Sequence, residues 1–205
     1  MTILDYGVNL APCDGELYLV QRFYGKAHAD HWFNALMASL AFRQERLFIF
    51  GRWHDTPRLM AWYGDNQACY RYSGVDHAPL PWTPELLTLK QDLEHALATG
   101  FNSVLANLYR DGQDSMGCHA DNEPELGPTP TIASLSFGDT RNLRFRHRQH
   151  KQSFSVDLAH GDLLIMAGCL QQHWQHQLPK TRAQKSSRLN LTFRRILAAA
   201  SAKVR

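Results

Sequence analysis

The chain has 205 residues, of which 44% are hydrophobic, 20% charged and 11% aromatic, a balance that fits one folded domain with a real core and excludes disordered, collagen-like and fibrous chains. Its formal net charge of +3 is too mild to mark a nucleic-acid binder, yet residues 1–100 carry 8 Lys and Arg against 11 Asp and Glu, whereas residues 101–205 carry 14 against 8. Histidine is abundant, at 11 residues, and it is the commonest side-chain metal ligand.

The first segment, MTILDYGVNLAPCDGELYLV, shows no basic leader followed by an apolar stretch. No apolar run approaches the roughly 18–20 residues of a membrane span. A cytoplasmic location and no membrane partner are expected. Cysteines 13, 69, 118 and 169 are too widely spaced for a zinc knuckle or redox motif, so reduced thiols are expected. From His28 to Arg43, Trp32, Phe33, Leu36, Met37 and Leu40 recur at helical spacing. RLFIFGRW around Phe50 and Gly51, and ACYRYSG around Tyr70 to Gly74, read as early strands or hairpin arms. A second helix has Thr83 as N-cap, Pro84 at its first position, Leu86, Leu89, Leu93 and Leu97 on one face, and Gly100 as its stop.

After Gly100 the pattern changes to short segments of period two, read as strands at 103–110, 131–137, 142–148, 154–158, 162–167 and 187–196. Many short strands after a helical start predict an α+β, mainly β fold, a sandwich or barrel with helices on one side.

His119 and Asp121, two apart in GCHADNE, leave the same face of an extended segment and can converge on one ion. His176 in HWQHQLP can complete a set of two imidazoles and one carboxylate, the facial triad of non-heme Fe(II) oxygenases. His173 competes for that third place on spacing alone. In SRLNLTFRRI, Leu189, Leu191 and Phe193 share one strand face, and Arg188, Asn190, Thr192 and Arg194 the other. A solvated outer face is the plain reading of that polar row. Asn107 and Tyr109, alternating with apolar neighbours in VLANLYR, argue for an inward one. Two guanidiniums, an amide and a phenol lining a barrel suit a dicarboxylate, because arginine binds carboxylate bidentately and keeps its charge. The combination points to Fe(II) and 2-oxoglutarate.

The runs NLYRDGQDSMGCHADNEPEL, TIASLSFGDTRNLRFRHR, GDLLIMAGCLQQHWQHQLP and SRLNLTFR resemble the AlkB family of Fe(II)/2-oxoglutarate-dependent nucleic-acid dealkylases, especially its branch of animal DNA-repair homologues, over about residues 45 to 197. That resemblance implies a double-stranded β-helix (jelly roll) with N-terminal helices packed on one side. It implies one domain over 1–205, with substrate-recognition segments and a supporting helix at about 45–100 and a catalytic core at 101–197. It further implies His119, Asp121 and His176 as iron ligands, with His173 a neighbour, and Asn107, Tyr109, Arg188, Asn190 and Arg194 around 2-oxoglutarate with Thr192 beside it. Phe50, Gly51 and Arg52 match the family's hairpin that probes the duplex, and Tyr70 and Tyr72 its lid over the base pocket. Where close relatives have a second Asp before Glu, this chain has Asn122 before Glu123, and an amide there both donates and accepts.

The resemblance implies Fe(II) as the metal, with 2-oxoglutarate and O2 as cosubstrates, in a monomer that removes alkyl groups from bases such as N1-methyladenine and N3-methylcytosine in DNA or RNA. Such bases must leave the stack to be reached. The alternative is the same chemistry on a protein or lipid substrate. Arg141, Arg144, Arg146, His147, Arg148, His150 and Lys151 form a basic stretch in which Arg144, Arg146 and Arg148 alternate with Leu143, Phe145 and His147, so the three arginines are expected on one face as phosphate contacts.

Overall fold

The computed structural model describes residues 7–49, 51–68, 70–72 and 75–197. In chain order its elements are β1 (Glu16–Val20), α1 (Lys26–Ser39), β2 (Arg46–Ile49), β3 (Arg52–Asp55), β4 (Leu59–Gly64), β5 (Tyr70–Tyr72), β6 (Val75–His77) and α2 (Pro84–Leu97). There follow β7 (Ser103–Tyr109), β8 (Met116–His119), β9 (Ile132–Gly138), β10 (Arg141–His147), β11 (Ser153–Leu158), β12 (Leu163–Ala167), α3 (Leu170–His173), β13 (Trp174–Leu178) and β14 (Arg188–Arg194).

Two antiparallel sheets, ordered β1-β12-β9-β14-β7-β4 and β11-β10-β13-β8, share strands β7 to β14 in turn, except that the consecutive β10 and β11 pair within the smaller sheet, which is the pairing order of a jelly roll. Strands β1 and β4 extend the larger sheet at its two edges. The pairs β2–β3 and β5–β6 are separate hairpins, as the sequence leads one to expect.

The larger sheet is covered on both faces. Ala133, Leu135 and Phe137 of β9, Leu163 and Ile165 of β12, and Leu189, Leu191 and Phe193 of β14 pack with Leu36 of α1 and with Leu86, Leu89, Leu93 and Leu97 of α2. Each of those fully buried leucines contributes roughly 1.5–3 kcal/mol. The opposite faces of the same strands turn inward. There Ile132, Leu164 and Met166 meet Phe145, Val156, Leu158 and Trp174 of the smaller sheet. A polar row on the inward face of β14 therefore cannot be solvated. Its side chains must find partners inside the roll.

Helix α1 begins at Lys26 and ends at Ser39 rather than spanning 28–43, because the chain leaves it to join the sheet: Ala41 N donates to Tyr63 Oη, and Arg43 pairs with Met60. Helix α2 starts as expected, with Leu86 N donating to Thr83 Oγ1 and Pro84 in its first turn. It stops at Leu97, not at Gly100. Ala98 takes the left-handed conformation at φ 50°, and the turn carries Phe101 into the core with its N–H on Glu94 Oε1. Among the described residues no helix is long and apolar enough to cross a membrane.

Candidate active site

Strands β8 and β13 pair so that His119 lies directly opposite His176, and the two rings sit 4.3 Å apart between centroids. The pairing slips between His176 and Leu178, an irregularity of the kind that re-aims side chains. Asp121 lies past the end of β8. Its backbone N–H donates to Gln171 Oε1 at 3.0 Å, and its Oδ1 accepts from Arg194 Nη2 at 2.8 Å. One ligand atom from each of His119, Asp121 and His176 falls within 4.8 Å of the others.

The hydrogen bonds at this cluster leave it ready for a cation. His119 Nδ1 lies 2.9 Å from the Gly117 carbonyl oxygen, which can only accept, so Nδ1 is the donor and Nε2 is the ring atom available to a metal. Asp121 Oδ2 is buried without a hydrogen-bond partner. Burial alone would raise the Asp121 carboxyl, but Arg194, His176 and His119 outweigh it and hold the group down to about 2. Burial, reinforced by His119, pushes the His176 imidazole down to about 3, so at neutral pH it is an uncharged donor. Two imidazoles and a carboxylate with an unpartnered oxygen fit a divalent iron.

A second cluster, Cys13, Asp14 and His147, has similar spacing but the opposite hydrogen bonding. His147 Nδ1 accepts from the backbone N–H groups of Gln149 and His150, at 3.1 and 3.0 Å, which leaves the ring proton on Nε2, 3.1 Å from Asp14 Oδ2. Both ring nitrogens are committed, and the residue is a structural clamp. Beside it, Trp174 Nε1 donates to Cys13 O at 3.0 Å.

Next to His119, Asp121 and His176 lies the inward face of β14, in a pocket also lined by Asn107, Tyr109 and Ser134. Arg188 Nη2 donates to Ser136 Oγ at 2.9 Å, and Asn190 Nδ2 to Ser134 Oγ at 2.8 Å. Thr192 Oγ1 donates to Asn190 Oδ1 at 3.1 Å. Glycine at 138, opposite Arg188 in the ladder and at φ 87°, lets the start of β14 pass close, since a Cβ there would collide with the Ser187 carbonyl. Burial pushes the Arg188 guanidinium down to about 10, so it stays charged at neutral pH. Its carbon Cζ stands 5.4 Å from the Tyr109 ring centre. Burial also raises the Tyr109 phenol despite Arg188, Arg58 and Arg141 nearby, which keeps it a neutral donor. The Nε atoms of both Arg188 and Arg194 are buried without partners. With Asp121 Oδ2, three atoms without partners among the described residues thus belong to side chains lining one pocket, two donors suited to an anion and one acceptor suited to a cation.

A model of the 2OG-Fe(II) oxygenase superfamily matches residues 16–194. The chain belongs to that superfamily. Within it the chain joins the AlkB branch: it is 39% identical over 185 residues to DNA oxidative demethylase ALKBH2 of Homo sapiens, covering 85% of this chain and 71% of the human protein. It is 37% identical over 202 residues to Alpha-ketoglutarate-dependent dioxygenase alkB homolog 3 of Bos taurus, covering 93% of this chain and 70% of that protein. Among solved structures, that of OsALKBH1 superimposes with a TM-score of 0.63 at 18% identity, covering 87% of this chain and 96% of its own, and so shares the fold. This AlkB-family chain is an Fe(II)- and 2-oxoglutarate-dependent dioxygenase, with O2 as the second cosubstrate.

The remaining expected residues are placed unevenly. Asn122 and Glu123 line a neighbouring cleft with Gln171 and Gln172, not the pocket of His119 and His176. Gly51 turns the β2–β3 hairpin at φ 75°, and Arg52 is exposed on β3. Phe50 lies outside the described residues, as do the side chains of Tyr70 and Tyr72, whose backbones form β5. Arg144, Arg146 and Arg148 are exposed, on the outer side of β10. Phe145 between them faces inward against His176. Two other members of the basic stretch point inward. Arg141 is buried and spent on the carbonyls of Asp111, Asp114 and Pro179, and His147 is the clamp described above.

Sequence reading missed Arg58, which is buried and donates through Nε to Asn107 Oδ1 at 2.8 Å. It also missed Ser134 and Ser136, although two serines two apart in IASLSFG carry the same period-two signal as β14.

Proposed function

We propose that the protein is a DNA-repair dioxygenase that removes N-alkyl groups from damaged bases such as N1-methyladenine and N3-methylcytosine. The observation that carries this reading is the junction of two half-satisfied sites: an Asp121 carboxylate with one unpartnered oxygen, clustered with His119 and His176, and the unpartnered Nε donors of Arg188 and Arg194 in residues lining the same pocket. The substrate class is supported by the relatives, one of which is named a DNA oxidative demethylase.

In this reading His119, Asp121 and His176 hold Fe(II). Arg188 seats one carboxylate of 2-oxoglutarate, with Tyr109, Asn107 and Asn190 around it and Thr192 bracing Asn190. Arg194 spans the two sites, because one of its nitrogens already holds Asp121. When held by these residues, Fe(II) with 2-oxoglutarate and O2 would supply oxidative hydroxylation of the N-alkyl carbon, one oxygen atom going to that carbon and the other to succinate, with release of CO2. The hydroxylated group leaves as formaldehyde and the base is restored. The chain's own part is geometric and electrostatic. Ser134 and Ser136 fix the amide and guanidinium that orient the cosubstrate, and the two covered faces of the larger sheet keep water from them.

The hairpin carrying Phe50, Gly51 and Arg52 would probe the duplex, Tyr70 and Tyr72 would cover the extruded base, and Asn122 and Glu123 would read its edge from the adjoining cleft. Arg144, Arg146 and Arg148 would take phosphates of the same strand as it passes the outer side of β10. Within this proposal residues 1–205 act as one catalytic unit, monomeric and cytoplasmic, that accepts the same lesions in RNA.

Anaerobic loading with Fe(II), followed by turnover of oligonucleotides carrying N1-methyladenine or N3-methylcytosine, tests the reading through succinate and formaldehyde. Demethylation by the wild type and its loss in His119→Ala are expected. No demethylation by the wild type, with His119→Ala indistinguishable from it, overturns the reading.

A further inference from the structure

Asp121 stands past the end of β8, where no ladder partner holds it. What fixes its main chain is a side chain fifty residues away in sequence. Gln171, 2% exposed, comes from the short α3 that links β12 to β13, and its Oε1 takes the Asp121 N–H at 3.0 Å. The other end of the amide meets only a sulfur, Met166 Sδ at 3.4 Å, a weak acceptor. Burying a primary amide is costly unless its polar atoms are used, and the atom used here is the oxygen on Asp121. Gln172, the next residue, points elsewhere, to the Pro128 carbonyl.

The two ends of Asp121 are thus held by different groups, the backbone by Gln171 and Oδ1 by Arg194. Between them these contacts leave Oδ2 without a hydrogen-bond partner among the described residues, while Oδ1 lies 4.0 Å from His119 Nε2. Because α3 leads straight into β13, the same residue ties the loop bearing Asp121 to the strand bearing His176.

We propose that Gln171 is a positioning residue for the metal centre: its side-chain oxygen fixes the backbone of Asp121 so that the carboxylate meets the ion in register with His119 and His176. This inference rests on the proposed iron-ligand set. Gln171 acts on the metal site through Asp121.

The test is Mn(II) affinity without O2 or 2-oxoglutarate, measured by the loss of the free Mn(II) electron paramagnetic resonance signal at a temperature where circular dichroism shows each variant folded. Gln171→Met keeps length and bulk without the acceptor, Gln171→Asn keeps the amide but is too short to reach, and Gln171→Glu keeps the oxygen. The first two are expected to weaken Mn(II) binding by about ten- to a hundred-fold, the range for groups that orient a ligand, while Gln171→Glu and the control Gln172→Met stay within about threefold of wild type. Wild-type binding with Gln171→Met and Gln171→Asn also within about threefold overturns the inference. If Gln171→Met does not fold, Gln171→Asn against Gln171→Glu decides on the same thresholds. Failure of the wild type itself to bind Mn(II), matched by His119→Ala, overturns the ligand set instead.

Discussion

Replacing Arg188 by Met should move stability and cosubstrate affinity in opposite directions. The guanidinium is fully buried, is pushed from 12.5 down to about 10 mainly by burial, and has Nε without a partner. A group whose folded value is depressed in this way penalises the fold whenever it is charged. The penalty is present in full below about 10 and disappears only as pH rises past 12.5. At about 1.4 kcal/mol per pH unit it amounts to roughly 3 kcal/mol. Against it stands one hydrogen bond to Ser136, worth about 1 kcal/mol, while the contact with Tyr109 is already contained in the depressed value. In ligand-free protein Arg188→Met should therefore melt no lower than wild type, and up to roughly 8 °C higher at 2–4 °C per kcal/mol. Cosubstrate binding should suffer instead, by about 2–4 kcal/mol or roughly 30- to 1000-fold, because a buried carboxylate would lose its charged partner. Differential scanning fluorimetry of ligand-free protein and anaerobic calorimetric titration of 2-oxoglutarate into the Mn(II) form read the two quantities. A clearly lower melting temperature without ligand, or wild-type affinity for 2-oxoglutarate, refutes the assignment of an uncompensated cation awaiting an anion.

Three other outcomes follow from particular contacts. Burial would raise Asp114, but a two-point bond with Arg110 at 2.8 Å on each oxygen outweighs it and holds the carboxyl below 3.8. Its contribution is therefore present above 3.8 and lost as pH falls through the lower folded value. Half-exposure of Arg110 limits it to about 1–2 kcal/mol. Asp114→Asn should melt a few degrees lower than wild type at pH 7, about 2–4 °C per kcal/mol, with the gap closing as the pH drops below 3.8; an equal gap at both ends contradicts the linkage. Ala98→Gly relieves a left-handed alanine at φ 50° and should raise the melting temperature by about 2–4 °C, for roughly 1 kcal/mol of strain; a fall means that Ala98 packs in a way its backbone does not reveal. Arg144→Ala with Arg148→Ala should weaken DNA binding and reduce the slope of log affinity against log salt by about 2; an unchanged slope removes the outer side of β10 from the interface.

The alternation in SRLNLTFR was legible, and the ladder confirms which residues share each face. Where the polar face would point was harder to read, since that depends on a second sheet and two helices covering both sides of the first. Leu–Asn–Leu–Thr looks the same over solvent as over a closed pocket. The His-x-Asp pair was legible too, but two groups of His, Cys and Asp donors pass a spacing test here, and they differ only in which backbone atoms meet Nδ1. At His119 it is a carbonyl and at His147 a pair of N–H groups. Main-chain partners of that kind leave no mark in composition. The tie between Gln171 and Asp121 was invisible for the same reason, as was the bond from Arg194 to Asp121, each joining segments far apart in the chain. Helix ends misled by two to four residues because strand pairing and the burial of Phe101 overrode the local stop signals. The histidine surplus divides accordingly: besides His119 and His176, His147 and also His160, whose Nδ1 accepts Gly138 N and whose Nε2 meets Asp30 Oδ1, act as clamps.

The clamp at His147 reaches further than its distance from the pocket suggests. Cys13 and Asp14 precede every strand of the roll, yet one receives the Trp174 indole N–H and the other the His147 ring. Trp174 lies opposite His147 in the β10–β13 ladder and two residues before His176. The leading segment is therefore a brace for the strand that carries His176. Proteolysis or a fusion joint at Asp14 would leave every pocket residue in the chain and still loosen that strand. An amino-terminal trim that takes Cys13 and Asp14 is thus a change to the support of the pocket, although neither residue lines it.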